Sequence, residues 1–256
     1  NKIMDQLSTG VAGCLSTKKI KVIYGVATLT DSHHAKIVLH NGTETEIEFD
    51  KAILATGSEV AHVPIQGADA DCVVTSDDAL NFNEPPKSMI IIGGGVIGIE
   101  FASMYSRMGT KITVIEALDR ILPNIDEELS TIVKEKLKKN GVEIYTGGRV
   151  LAIEENTDGA KVTFNTKNGE STLFSEKVLM AVGRKPYIKD LGSEAANIET
   201  EQGAIKVNEY LCTNQPHIYA IGDCIGGMML AHVSSAQAMV AAKNAIMGDT
   251  ERYSNK

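Results

Sequence analysis

Residues 90 to 116 read IIIGGGVIGIEFASMYSRMGTKITVIE, and four of them stand at spacings that suit one chemistry. Gly93, Gly95 and Gly98 make a G-x-G-x-x-G turn: the first permits a tight bend, the second lets a pyrophosphate approach the backbone, and the third lets a helix pack closely on a strand. Val96 and Ile97 open that helix, whose unpaired N–H groups and partial positive charge suit a phosphate. Glu116 follows Gly98 by 18 residues, where a carboxylate can accept both hydroxyls of an adenosine ribose and repel a 2′-phosphate. The pattern predicts a dinucleotide site for NAD rather than NADP. Arg120 is the residue type an NADP site would use, but it lies past the strand end while Glu116 occupies the reading position.

The elements that must hold these residues are legible around them. Residues 88–92 (SMIII) are an apolar run of the kind that forms a buried parallel strand. Ile97, Phe101, Met104, Tyr105 and Met108 recur every three or four residues, as on the inner face of a helix, which Gly109 closes. Residues 111–115 (KITVI) make a second buried strand. Strand, glycine turn, helix and strand together occupy about 30 residues, the context that gives the fingerprint its specificity. Further helices are predicted over 127–139 and 231–247.

Two stretches resemble each other. Residues 21–58 and 142–184 each pass from Ile-Tyr through alternating strands, turn at Asn-Gly (Asn41-Gly42, Asn168-Gly169), and end in an apolar strand closed by A-x-G. The second copy is preceded by the glycine turn. A first copy built on the same plan would need its own turn upstream of residue 1, so the chain reads as having lost its first nucleotide-binding turn.

The composition narrows the function classes. Apolar residues make 43% and charged residues 23% of 256, the usage of a globular protein. A net charge of -8 argues against a nucleic-acid surface, and the basic run KEKLKK at 134–139 reads as the solvated face of a helix. No apolar run approaches the roughly 18 to 20 residues that cross a bilayer. The opening NKIMDQLSTG has no secretory pattern, and Asn1 opens into what reads as mid-helix, so a portion of a longer chain is expected. Cys14, Cys72, Cys212 and Cys224 form no C-x-x-C or C-x-x-x-x-C pair and read as buried thiols of a reducing cytoplasm. His33, His34 and His40 read as surface hairpin residues, and His62 and His217 as loop residues beside prolines, leaving no metal site.

The succession ATGSEV (55–60), GGGVIGIEFASM (93–104), VIEALDRILPNID (114–126), AVGRKP (181–186) and IYAIGDCIGGMMLAHVSSAQA (218–238) resembles the FAD-dependent pyridine-nucleotide disulfide oxidoreductases, most of all the dihydrolipoamide dehydrogenases. The resemblance implies an α/β fold: a Rossmann-like three-layer NAD-binding domain with a β-meander, inserted in an incomplete FAD-binding domain of the same type. It implies that Gly93, Gly95, Gly98 and Glu116 hold NAD, with Glu100 completing the motif and Val150 and Gly183 near the nicotinamide cofactor. For FAD it implies Thr56, Gly57 and Ser58 at the crossing between domains, Gly25, and Asp223 toward a ribitol hydroxyl. It also implies Met229, Leu230, Ala231 and His232 beneath the flavin ring. Standing alone, Asp223 would read as an ordinary helix cap.

The expected domains are 1–84 (partial FAD-binding), 85–186 (NAD-binding, entered through the linker Asn83-Glu84-Pro85-Pro86) and 187–256 (return to the FAD domain). The family's redox-active C-x-x-x-x-C pair, and the catalytic His and Glu of its interface domain, are absent from this sequence. For the intact enzyme the resemblance implies a lipoyl-bearing protein or small dithiol as substrate, a homodimer, and electron flow through a disulfide and FAD to NAD+. Two alternatives stand beside it: an NAD(H)-binding module without turnover, and a mercuric or glutathione reductase type, the latter disfavoured by Glu116 because it prefers NADP.

Overall fold

The computed structural model describes residues 2–254, so Asn1, expected within a helix, lies outside the described residues. The chain divides into two compact units: Asn1–Ser58 with Pro186–Lys256, and Glu59–Lys185. The first runs α1 (Lys2–Thr17), an antiparallel sheet of β1 (Gly25–Leu29), β2 (His34–Leu39) and β3 (Glu44–Glu48), and then β4 (Ala52–Leu54). The chain crosses in β5 (Ser58–Val60) to β6 (Val73–Val74), α2 (Ser76–Ala79), β7 (Ser88–Ile92), α3 (Val96–Arg107), β8 (Lys111–Glu116), α4 (Glu127–Lys139) and β9 (Glu143–Thr146). A second antiparallel sheet follows, of β10 (Arg149–Asn156), β11 (Gly159–Thr166) and β12 (Gly169–Ser175), and then β13 (Lys177–Met180). After β14 (Arg184–Pro186), the first unit resumes with β15 (Thr200–Glu201), β16 (Ala204–Ile205), β17 (Ile218–Ala220), a 3₁₀ turn (Gly222–Ile225) and α5 (Ala231–Met247).

The second unit is the three-layer α/β arrangement expected. Its five-stranded sheet has the order β6-β13-β7-β8-β9, with β7 parallel to both β8 and β13. Alternation along the central strands explains the layers. Met89, Ile91, Ile112 and Val114 face one core with Phe101, Ala102 and Tyr105 of α3 and Leu137 of α4. Ile90, Ile92, Ile115, Val178 and Met180 face another, shared with Val150, Ile153, Val162 and Phe164 of the β10-β11-β12 sheet. Covered on both faces, the interiors of these strands are apolar apart from Thr113 of β8, and each fully buried Ile or Leu contributes about 2 kcal/mol.

The expected boundary at residue 84 is not where this division falls. Residues 59–84 lie in the second unit, because Val73 and Val74 pair in parallel with Val178 and Leu179 and so extend its sheet. α2 follows at once, held by a capping box in which Thr75 and Asp78 bond each other's backbone N–H. Pro86 is buried, and its carbonyl accepts the Thr110 hydroxyl at 2.7 Å, so the proline pair lies inside the unit.

The internal repeat is visible as structure. Each Asn-Gly turn joins the second and third strands of a three-stranded meander, with Gly42 and Gly169 both at positive φ. A short apolar strand follows each, β4 in one copy and β13 in the other.

The copies differ in their surroundings. Tyr145 lies in β9, paired with β8, whereas Tyr24 lies outside any strand and is 72% exposed. β13 has neighbours on both sides, while β4 pairs with β17. α1 has no buried residue, and Ile3, Leu7 and Val11 are more than half exposed.

Candidate functional site

The three glycines of the turn between β7 and α3 do three different things. Gly93 has φ +110, and a Cβ there would stand 2.3 Å from the Ala181 carbonyl. A Cβ on Gly98 would stand 2.0 Å from the Gly93 carbonyl, so α3 can approach β7 only with glycine at that point. A Cβ on Gly95 would meet nothing within 4 Å. Gly95 is also the N-cap of α3 and makes no side-chain capping bond, so backbone donors face open space there. Val96 is exposed at the helix start, and Ile97 packs partly into the core.

Glu116, at the end of β8, is 8% exposed and is held by two backbone donors. The Gly94 N–H donates to Oε2 at 2.5 Å and the Leu118 N–H to Oε1 at 2.7 Å. Neither donor is visible to a search by residue type, because each is a main-chain amide. Gly148 donates to the Glu116 carbonyl and Gly147 to that of Leu118, bringing the 147–148 turn beside the strand end. Val150 follows in β10, with its side chain buried in the core. Gly183, at φ +119, has open space where a Cβ would be, and its carbonyl accepts the Ala61 N–H at 3.0 Å. Glu100 is exposed on α3.

Arg120 is not aimed outward. Its Nη1 donates to the Ile125 carbonyl at 3.0 Å and its Nη2 to that of Pro123 at 2.7 Å.

A second cluster lies in the other unit. The Ser58 hydroxyl donates to Asp223 Oδ2 at 2.5 Å, and Gly222 donates its N–H to Gln237 Oε1 at 2.7 Å. Asp223 therefore belongs to the 3₁₀ turn. The N-cap of α5 is Leu230, which makes no side-chain capping bond and leaves donors free beside Met229, Ala231 and His232. Thr56 donates its hydroxyl to the Tyr187 carbonyl, and the Gly57 carbonyl accepts the Tyr187 N–H. Gly25 has a packing reason of its own, since a Cβ there would stand 2.5 Å from the Val38 carbonyl.

The remaining candidates fall outside these clusters. All four cysteines are free, but Cys14, expected buried, is exposed on α1; burial pushes the Cys72 and Cys212 thiols up, away from the thiolate that redox exchange requires. His33 and His217, read as surface and loop residues, stack with centroids 4.0 Å apart. Among the described residues no group of His, Cys, Asp and Glu is placed to hold a metal, and no helix is long and apolar enough to cross a membrane.

Residues 2–238 match the pyridine nucleotide-disulphide oxidoreductase family. The chain is 39% identical over 249 residues to a dihydrolipoyl dehydrogenase of Bacillus subtilis, covering 96% of this chain and 52% of that protein. It is 37% identical to the dihydrolipoyl dehydrogenase of Acholeplasma laidlawii, over 94% of this chain and 70% of that one. Among solved structures, LpdA of Mycobacterium tuberculosis superposes with TM-score 0.90 at 26% identity, over 99% of this chain and 56% of that one. The HOCl-induced flavoprotein disulfide reductase RclA of Escherichia coli superposes at 0.81 with 30% identity, over 92% and 52%. The chain spans about half the length of most of these relatives. It belongs to the pyridine nucleotide-disulphide oxidoreductase family, whose flavoprotein dehydrogenases use FAD and NAD.

Proposed function

We propose that this chain is the NAD-binding portion, with part of the FAD-binding portion, of a dihydrolipoamide dehydrogenase. The intact enzyme would oxidise a dihydrolipoyl group on a protein or a small dithiol and pass the electrons through a disulfide and FAD to NAD+. The observation that carries the reading is the cradle at Gly95: donors at the start of α3 face space that no side chain fills, with the Glu116 carboxylate nearby.

In this reading Gly93 and Gly98 shape the turn, the amides around Gly95, Val96 and Ile97 bind the pyrophosphate, and Glu116 accepts the adenosine ribose hydroxyls. Val150 and Gly183 approach the rest of NAD through their backbones, and Glu100 completes the motif at the start of α3. Asp223, oriented by Ser58, and the start of α5 at Met229 to His232 hold FAD, with Thr56, Gly57 and Gly25 near it. The flavin supplies the electron chemistry when bound, and these residues bind, orient and exclude water.

Two further observations support a portion of a larger enzyme. β4 has one strand neighbour, β17, among the described residues, where β13 has two. The apolar residues of α1 and Tyr24 lie uncovered on the same unit. A homodimer and a cytoplasmic home belong to the intact protein, the second in keeping with four free cysteines.

Native mass spectrometry of the chain with equal NADH and FAD tests this, alongside a dihydrolipoamide:NAD+ assay. Bound NADH without turnover is expected, since none of the four cysteines has a partner at the family's spacing. No NADH bound would sink the dinucleotide reading. Turnover by this chain alone would sink the portion reading.

A further inference from the structure

The loop after Glu116 is built around one guanidinium, and that arrangement bears on how the carboxylate is held. Arg120 folds back so that its two Nη atoms reach the carbonyls of Ile125 and Pro123, closing residues 120–125 into a ring. The planar fork of an arginine suits two such acceptors at once, which a single ammonium cannot match. The ring sits on the glycine turn. Leu122, at φ +48, donates its N–H to the Gly94 carbonyl at 2.8 Å, while Gly94 donates to Glu116 Oε2. Ile121, fully buried, lies where a Cβ on Gly94 would meet its Cγ2 at 2.9 Å. The Ser130 hydroxyl pins the Ile121 carbonyl from α4 at 2.6 Å. At the other end the Leu118 N–H holds Glu116 Oε1. Both carboxylate oxygens are thus oriented by amides whose places depend on the 118–125 loop.

We propose that Arg120 is a positioning residue for the dinucleotide: its clasp holds the loop that aims Glu116 at the ribose. It therefore serves NAD and is not a contact for a 2′-phosphate. The inference rests on the reading of Glu116 as the ribose carboxylate. It departs from what the residue type suggests, because an arginine just beyond that position invites assignment to NADP.

The two roles give opposite results in one experiment. NADH and NADPH are titrated separately by nucleotide fluorescence into the parent chain, Arg120→Ala and Arg120→Lys, with melting temperature and amide exchange at Leu118 and Leu122 measured on each. For a positioning residue, Arg120→Ala weakens NADH by about ten-fold, the worth of a lost orienting hydrogen bond. NADPH then falls by no more than NADH, Leu118 and Leu122 exchange faster, and the melting temperature stays close to the parent's. Arg120→Lys, which keeps the charge without the two-pronged clasp, stays weaker than the parent. A selective loss of NADPH with NADH unchanged would make Arg120 a phosphate contact and overturn the proposal. Unchanged binding of both nucleotides, or full rescue by lysine, would overturn it too. A parent chain that binds neither nucleotide fails at the level of the dinucleotide reading, which separates that failure from this one.

Discussion

The two halves of the repeat carry the same meander and end in the same kind of parallel strand, yet one is enclosed and the other is not. β13 lies between β6 and β7 and is buried on both faces, whereas β4 pairs with β17 and α1 of the same unit buries nothing. The difference is the strand–glycine turn–helix segment at 88–107, which the second unit has and the first lacks among its described residues. That segment covers the sheet and also carries the Gly95 cradle proposed to take NAD, so on that proposal closing the core and building the site are one structural act. The first unit has smaller apolar clusters of its own and adds to them a buried polar clamp. Asn244, fully buried, donates to the carbonyls of Tyr210 and Glu251 and accepts the N–H groups of Thr250 and Glu251.

The largest effect is expected where covering and binding coincide. Gly98→Ala forces a Cβ against the Gly93 carbonyl, and the second unit should lose about 3 kcal/mol together with measurable NADH binding. Gly95→Ala meets no protein atom, so it should melt with the parent while weakening NADH by more than about ten-fold. Chemical denaturation and an NADH titration on both variants check the pair. If Gly95→Ala destabilised the fold as much as Gly98→Ala, covering and binding would not be separable within the turn.

Much of this contrast was legible in the sequence. The glycine spacing, Glu116 and the apolar runs at 88–92 and 111–115 announced the second unit, because parallel strands covered on both faces must be apolar along most of their length. The helices predicted over 127–139 and 231–247 stand at Glu127–Lys139 and Ala231–Met247, the first with a side-chain cap from Asp126. Other features leave no trace in residue type. The two-residue strand at Val73 is too short for any periodicity, so the prolines at 85 and 86 drew the expected boundary away from it. The amides of Gly94 and Leu118 are main-chain groups whose aim depends on the fold. Arg120 shows its residue type in the sequence, but its partners are two carbonyls that only the folded loop brings within reach.

A middle effect probes the polar clamps. Asn244→Leu keeps the volume but strands two backbone N–H groups and two carbonyls, and should cost the first unit about 2 kcal/mol. Hydrogen exchange resolved by segment checks it. Faster exchange is expected at 250–251 and along α5, with β7 and β8 unchanged. Equal loosening of both units would mean that they share one stability, and the contrast between enclosed and clamped halves would fail.

The smallest effect lies at the turn between β1 and β2 and depends on pH. Asp31 Oδ2 stands 2.9 Å from His34 Nδ1, and Oδ1 accepts the N–H groups of His33 and His34. The amide of His33, then the imidazole, hold the Asp31 carboxyl below its ordinary value, and the carboxylate raises the His34 imidazole above its own. The histidine's contribution is present in full below its unfolded pKa of about 6.5 and is lost as pH rises through the raised folded value. The aspartate's is present above about 3.9 and is lost as pH falls through the lowered one. Both hold together between about pH 4 and 6.5. Asp31→Asn keeps an acceptor for the turn and removes the ion pair. It should lower the melting temperature by about 2 °C or less at pH 5 and leave it unchanged at pH 9, the scale of an exposed pair. A difference that persists at pH 9 would assign the contribution of Asp31 to its turn-capping bonds, and the uncovered unit would then owe nothing measurable to charge at this hairpin.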